Sequence, residues 1–173
     1  LGPLGRDEPV PGWTEVAAVD EGSPLRAIRH DLEPQMVALV DRAQERGDTL
    51  GGSVTIIAHG VPIGLGSHVS WSEKLDGRIA QAMLSIPAVK AVEIGSAIAA
   101  AAGFGSEAHD AIAYDAARGF HRPTNRAGGL EAGITNGEDI VVTVYKKPIA
   151  TLREGLPSIA LDPLTAHAAQ YER

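Results

Sequence analysis

The stretch Thr124–Thr151, TNRAGGLEAGITNGEDIVVTVYKKPIAT, decides how this chain is read. It opens with a Gly-rich run, Asn125 to Gly137, and passes through an unbroken β-branched strand, Ile140 to Val144. It closes on Lys146-Lys147-Pro148 and a hydroxyl at Thr151. Glycines admit a close backbone approach, and successive amides can form an anion-binding nest. A lysine adds a point charge and a threonine adds a donor. Loop, strand and lysine-hydroxyl terminus together predict a seat for a phosphorylated ligand. The order is not that of a P-loop, in which Gly-Lys-Ser/Thr closes the loop directly. The plainer alternative is a Gly-rich hairpin feeding a core strand.

Outward from that stretch, composition sets the bounds. The 173 residues (18.0 kDa) suit one domain. Hydrophobic residues make up 44% but aromatics only 4%, so the core must pack through Ala, Val, Ile and Leu. A net charge of −7 with no basic stripe argues against a nucleic-acid or anionic-membrane surface. Without cysteine there are no disulfides and no thiolate metal sites. No apolar run reaches membrane-spanning length and no signal peptide is recognisable, which makes a soluble cytoplasmic protein the expectation. Leu1 stands where an initiator methionine would, and the chain stops at Tyr171-Glu172-Arg173 without a closing element. A segment of something longer is therefore expected.

Residues 1–22 read as a loop or edge segment, with a short strand over Trp13 to Asp20. A helix is expected from Asp31, with Asp31 as its cap, Pro34 in the first turn, and Met36, Leu39, Val40 and Ala43 on one face. Gly47 should end it. Strands are expected at Ser53–Ala58 and Val89–Ile94. Between them, Leu75, Ile79, Ala82, Met83 and Ile86 predict a helix from Ser72 to Ile86, stopped by Pro87. Ala97 to Ala102 reads as a short helix. Residues 103–123 show no clean period and are expected to form a mobile loop. Alternating helices and strands without obligatory parallel crossovers suit an α+β layered sandwich as well as a parallel sheet.

Several constellations carry little chemistry on inspection. Gly103-Phe104-Gly105-Ser106-Glu107-Ala108 matches the dinucleotide fingerprint, but an alanine-rich helix precedes it where a strand is required. His109, Asp110, Asp115 and His121 lack the spacing of a zinc or calcium site, so no metal is expected. Ser67-His68 are adjacent, and adjacent side chains seldom face each other as nucleophile and base.

Taken in series, five blocks point further: Asp48–Val54 with Gly60–Ser67; Lys74–Arg78; Met83–Gly95; Gly105–Asp110; and Thr124–Thr151. In this order and with these gaps the chain, from about Ser23 to Arg173, resembles the middle and C-terminal-middle part of chorismate synthase. The resemblance implies an α+β sandwich, antiparallel sheets inside and helices outside, assembled as a homotetramer. It implies a lyase that eliminates phosphate from 5-enolpyruvylshikimate 3-phosphate with reduced FMN and no net oxidation, NADPH being a candidate reductant of the flavin. The flavin contacts it implies are Pro87, Ala88, Ala132, the string Lys147, Pro148, Ile149, Ala150 and Thr151, and Arg173. Arg173 would touch substrate as well.

The chain departs from the family pattern at Ser96-Ala97, at Ala132 where glycine is usual, and at Ile149-Ala150. The resemblance places the family's two acid-base histidines N-terminal to this segment and its flavin-side aspartate just past Arg173. No catalytic acid or base is thus expected here, and the chain reads as one partial domain, residues 1–173. A non-catalytic flavin-binding, phosphate-binding or assembly module of the same fold is the alternative reading.

Overall fold

The computed structural model describes residues 1–5 and 11–171. Its centre is β7, Ile140–Lys146, which lies between β1, Gly52–Ala58, and β2, Val89–Ile94, in an antiparallel sheet of order β1-β7-β2. Ala58 faces Ile140 and Gly52 faces Lys146 on one side; Ile94 faces Val142 and Val89 faces Lys146 on the other. A register shift between Val89 and Ala91 leaves Lys90 as a bulge. Paired on both edges, β7 is buried from Ile140 through Val144, which is why its sequence is β-branched without alternation.

The two faces of β7 divide by parity. Ile140, Val142 and Val144 join Val89 and Leu130 in the core. The helix α3, Leu75–Leu84, covers that face with Leu75, Ile79 and Met83, one above the other at i, i+4 and i+8. On the opposite face Thr55 and Thr143 share a hydroxyl hydrogen bond of 2.9 Å, and the Tyr145 hydroxyl donates to the Glu93 carboxylate. That bond, with burial and the Glu93 charge, pushes the Tyr145 pKa up to about 12. The other Glu93 oxygen accepts from Ile98 N at 2.9 Å, serving an orphan amide of α4, Ala97–Ala101.

Three expectations are corrected. Residues Trp13–Ala17 form a helix, α1, not a strand. Among the described residues no strand pairs with this segment, whereas Gly12 N donates to the Glu15 carboxylate (2.9 Å) and Val16 N closes on Gly12 O (3.2 Å). The next helix, α2, runs Glu33–Glu45, and Asp31 does not cap it. Arg29 holds the Asp31 carboxylate instead, through Nε at 2.8 Å and Nη2 at 2.7 Å. The α2 C-terminus is as expected: Gly47 takes φ +65° and Asp48 N reaches back to Ala43 O at 2.8 Å.

The third correction is to the irregular backbone expected over residues 103–123, which carry regular structure. They hold a short helix, α5 (Gly105–Ala108), and a hairpin of β3 (Ala113–Asp115) and β4 (Gly119–His121). Asp115 shapes the hairpin turn by accepting from Ala117 N (3.0 Å), Arg118 N (2.7 Å) and Arg118 Nε (2.8 Å). Tyr114 and Phe120 pack across it with ring centroids 5.1 Å apart. Three-residue strands are too short to show a period.

Two further hairpins complete the described chain. β5 (Leu130–Glu131) pairs with β6 (Ile134–Thr135), and β8 (Pro157–Leu161) with β9 (Leu164–Ala168). Thr135, 1% exposed, ties the first to the 62–66 loop: its hydroxyl donates to Pro62 O (2.6 Å) and accepts from Leu65 N (2.9 Å). Among the described residues no helix is long and apolar enough to cross a membrane. Mixed helices and antiparallel sheet give the expected α+β class.

The accessible surface is 11857 Å². A compact monomer of 18.0 kDa would expose about 8,000 Å². Much of the excess is apolar, including Trp71, Phe104, Phe120, Leu161 and Leu164, each more than three-quarters exposed.

Candidate functional site

At the C-terminal end of β7 the chain continues as Lys147-Pro148-Ile149-Ala150-Thr151. Lys147 N donates to Ala88 O at 2.9 Å, so this string lies against the Pro87-Ala88 turn that follows α3. Ala88 sits at φ +69°, a left-handed conformation that costs a side-chain-bearing residue about 1–2 kcal/mol. From the other side the loop after α2 straps the string down. Thr49 Oγ1 donates to Ile149 O (2.7 Å) and Arg153 N to Gly47 O (3.0 Å). At Gly51 an added Cβ would come within 2.7 Å of Lys146 O, so only glycine permits the approach. Pro87, Ala88, Lys147, Pro148, Ile149, Ala150 and Thr151 therefore converge on one end of the sheet. The exposed Lys147 ammonium donates to Pro148 O at 3.3 Å. Lys90 and Lys146 lie at the adjoining strand ends and Arg153 adjoins Gly47, while Asp48 stands in the same loop, its carboxylate accepting from Thr49 N at 2.7 Å.

Ala132 lies elsewhere. It forms the exposed turn between β5 and β6 at φ +53°, and the next residue's carbonyl, Gly133 O, accepts from Leu75 N at 2.9 Å at the start of α3. Ten residues of α3 separate that end from Pro87, about 15 Å. Arg173 falls outside the described residues.

The Gly-rich loop is also remote from Lys147. Gly128 O accepts from Val141 N at the start of β7, about 20 Å of strand from Lys147. Loop and lysine do not make one seat. The loop's amides are moreover already satisfied: Arg126 N (2.9 Å) and Ala127 N (2.8 Å) donate to the Asp110 carboxylate, which also accepts from Thr124 Oγ1 (2.6 Å). Gly128 N donates to Asn125 O (3.2 Å), Gly129 N to Asn125 Oδ1 (2.7 Å), and Leu130 N to Ala127 O (3.5 Å). Burial opposes ionisation of Asp110, but the Thr124 hydroxyl, the two amides and the Arg126 charge outweigh it and hold the carboxyl below its usual range.

Asp115 serves its turn and stands 3.7 Å from His121 Nδ1. Ser67 Oγ accepts from Val69 N (3.1 Å), a local turn. One arrangement escapes sequence reasoning altogether: His59 Nδ1 lies 2.7 Å from Asp139 Oδ1, and its ring stacks on Trp13 at 4.8 Å. Nothing in the local pattern of 13, 59 and 139 announces that meeting. Two depressions of 260 and 370 Å³ flank α2, and neither is lined by residues 87–88 or 147–151.

Comparison with known proteins follows the same lines. The family model described as chorismate synthase matches residues 9–173. A chorismate synthase of Moorella thermoacetica is 50% identical over 173 residues, covering 100% of this chain and 45% of that protein. One from Thermus thermophilus is 52% identical over 147 residues, covering 85% and 38%. A solved structure, "Crystal Structure of Chorismate Synthase", superposes with a TM-score of 0.69 at 47% identity, covering 73% of this chain and 38% of that one. The chain thus spans less than half the length of these relatives. With the family model matching nearly every residue, the chain belongs to the chorismate synthase family.

Proposed function

We propose that this chain supplies the phosphate end of the flavin site in a chorismate synthase, a lyase that eliminates phosphate from 5-enolpyruvylshikimate 3-phosphate to give chorismate. The observation that carries this reading is the bond from Lys147 N to Ala88 O, which brings together two segments that the sequence resemblance assigns to flavin. The residues suit a flavin phosphate. Lys147 offers an exposed ammonium, Thr151 a half-buried hydroxyl, and the strained Ala88 turn holds its backbone in a fixed direction. Reduced FMN, when bound, lends electron density to the departing phosphate and recovers it, so the reaction has no net redox change.

The chain's own part is binding and orientation. Lys147 and Thr151 would neutralise and fix the phosphate, while Pro87 and Ala88 present small surfaces that let a ligand approach the backbone. Ile149 and Ala150, pinned through Thr49, keep the string from swinging away. Arg173 is assigned to flavin and substrate on the family match alone. In the same reading the intact enzyme is a cytoplasmic homotetramer, and NADPH is a candidate reductant of the flavin.

The experiment is FMN binding to the intact enzyme carrying Lys147→Ala. A loss of about 1.5–3 kcal/mol is expected, the range for a hydrogen bond to a charged group. An unchanged dissociation constant would remove Lys147 from the site.

A further inference from the structure

The Gly-rich loop has the geometry of an anion nest and is filled from within. Thr124 Oγ1, Arg126 N and Ala127 N all point at one carboxylate, at 2.6, 2.9 and 2.8 Å. The Arg126 guanidinium lies beside it, donating to His109 O at 3.2 Å and Thr124 Oγ1 at 3.5 Å. The turn is not free to collapse if the carboxylate leaves. Arg126 O accepts from Ser96 N (2.8 Å), Asn125 Nδ2 donates to Asp139 O (2.8 Å), and Gly95 packs so closely that an added Cβ would meet Arg126 O at 2.1 Å. Two adjacent amides, a hydroxyl and a cation held by neighbours on three sides make a preorganised receptor for a small oxyanion.

We propose that residues 124–127 are an anion-binding turn whose resident ligand is the Asp110 carboxylate, so that deleting this carboxylate creates a site for an exogenous carboxylate of formate size. The turn links β2, α4 and the approach to β5, and Asp110 is the anion that holds it together from outside the loop. The site does not depend on flavin, and it would persist if Lys147 bound nothing.

The test is thermal melting of the intact protein carrying Asp110→Ala, titrated with sodium formate against sodium chloride at matched ionic strength. The variant should melt below wild type, and formate alone should raise its Tm saturably. Wild type, its nest filled, should respond to neither salt beyond the common ionic effect. Asp110→Asn, which retains one acceptor but no charge, should be destabilised yet insensitive to formate. Equal responses of wild type and Asp110→Ala to formate, or an Asp110→Ala melt equal to wild type, would overturn the proposal. If Asp110→Ala is recovered only as aggregate, refolding yield with formate against chloride decides between the same outcomes: a higher yield in formate supports the proposal, equal yields overturn it.

Discussion

At the scale of single residues, Ala132 and Ala88, like Arg26, hold left-handed backbone without being glycine. The resemblance implies glycine at the Ala132 position, and φ +53° is a conformation that glycine adopts without strain. Ala132→Gly removes a conformational cost of about 1–2 kcal/mol but loosens the unfolded chain by about 0.4–1 kcal/mol. We expect a net gain near 0.5–1 kcal/mol in chemical denaturation; a loss of stability would mean the turn is not strained. Tyr145 gives a second reading at this scale. Its pKa, raised to about 12 by Glu93, burial and charge, lies above the ordinary 10.0. The stabilisation from this pair is therefore complete below pH 10 and lost as pH rises through 12. In an ultraviolet titration of the three tyrosines, Tyr145 should ionise last, and Glu93→Gln should bring it back toward the other two. Coincident titration of all three in the unsubstituted protein would show the hydroxyl is not held.

Elements differ in how much of their ordering they provide for themselves. β7 is paired along both edges and buried on both faces, so its amides can exchange only when the sheet opens. The β3–β4 hairpin has Tyr114 and Phe120 well exposed, and two-stranded ribbons are marginal alone. Exchange should accordingly be slowest at Val141–Val144 and fast across Ala113–His121, hairpin bonds notwithstanding. Protection of Phe120 equal to that of Val142 would show that the hairpin is buried by something this chain does not contain. The β8–β9 hairpin falls in the same class: Ile159, Leu161 and Leu164 share a face by register, and all are exposed.

The molecule as a whole exposes 11857 Å², well beyond the ~8,000 Å² of a compact chain of its mass. Few side chains are fully buried, and the core is one cluster between α3 and the central sheet. Purified alone, the chain should bind a hydrophobic dye strongly and melt broadly, with a small enthalpy for its length. A sharp transition without dye binding would mean that the apolar surface finds cover. It should also fail to release phosphate from 5-enolpyruvylshikimate 3-phosphate with reduced FMN under anaerobic conditions. The resemblance implies that the family's acid-base groups lie outside these residues, and positioned acid-base catalysis supplies about 10²–10⁴-fold. Turnover at the rate of an intact enzyme would show that acid and base lie within these residues.

What was legible in the sequence followed from local pattern. A β-branched run without alternation marked β7 as a strand, and the four-residue spacing of Leu75, Ile79 and Met83 marked α3. The order of five blocks marked the family. These signals survive because burial acts on side chains a fixed number of residues apart, two along a strand and three or four along a helix. The tertiary structure alone decided the rest. It joined Lys147 to Ala88, set Ala132 at the far end of α3, started α3 where Gly133 O takes the Leu75 amide, and filled the nest at 124–127 with Asp110. Each of these rests on a hydrogen bond between residues far apart in the chain, and a backbone amide's partner leaves no periodic trace in the residues beside it.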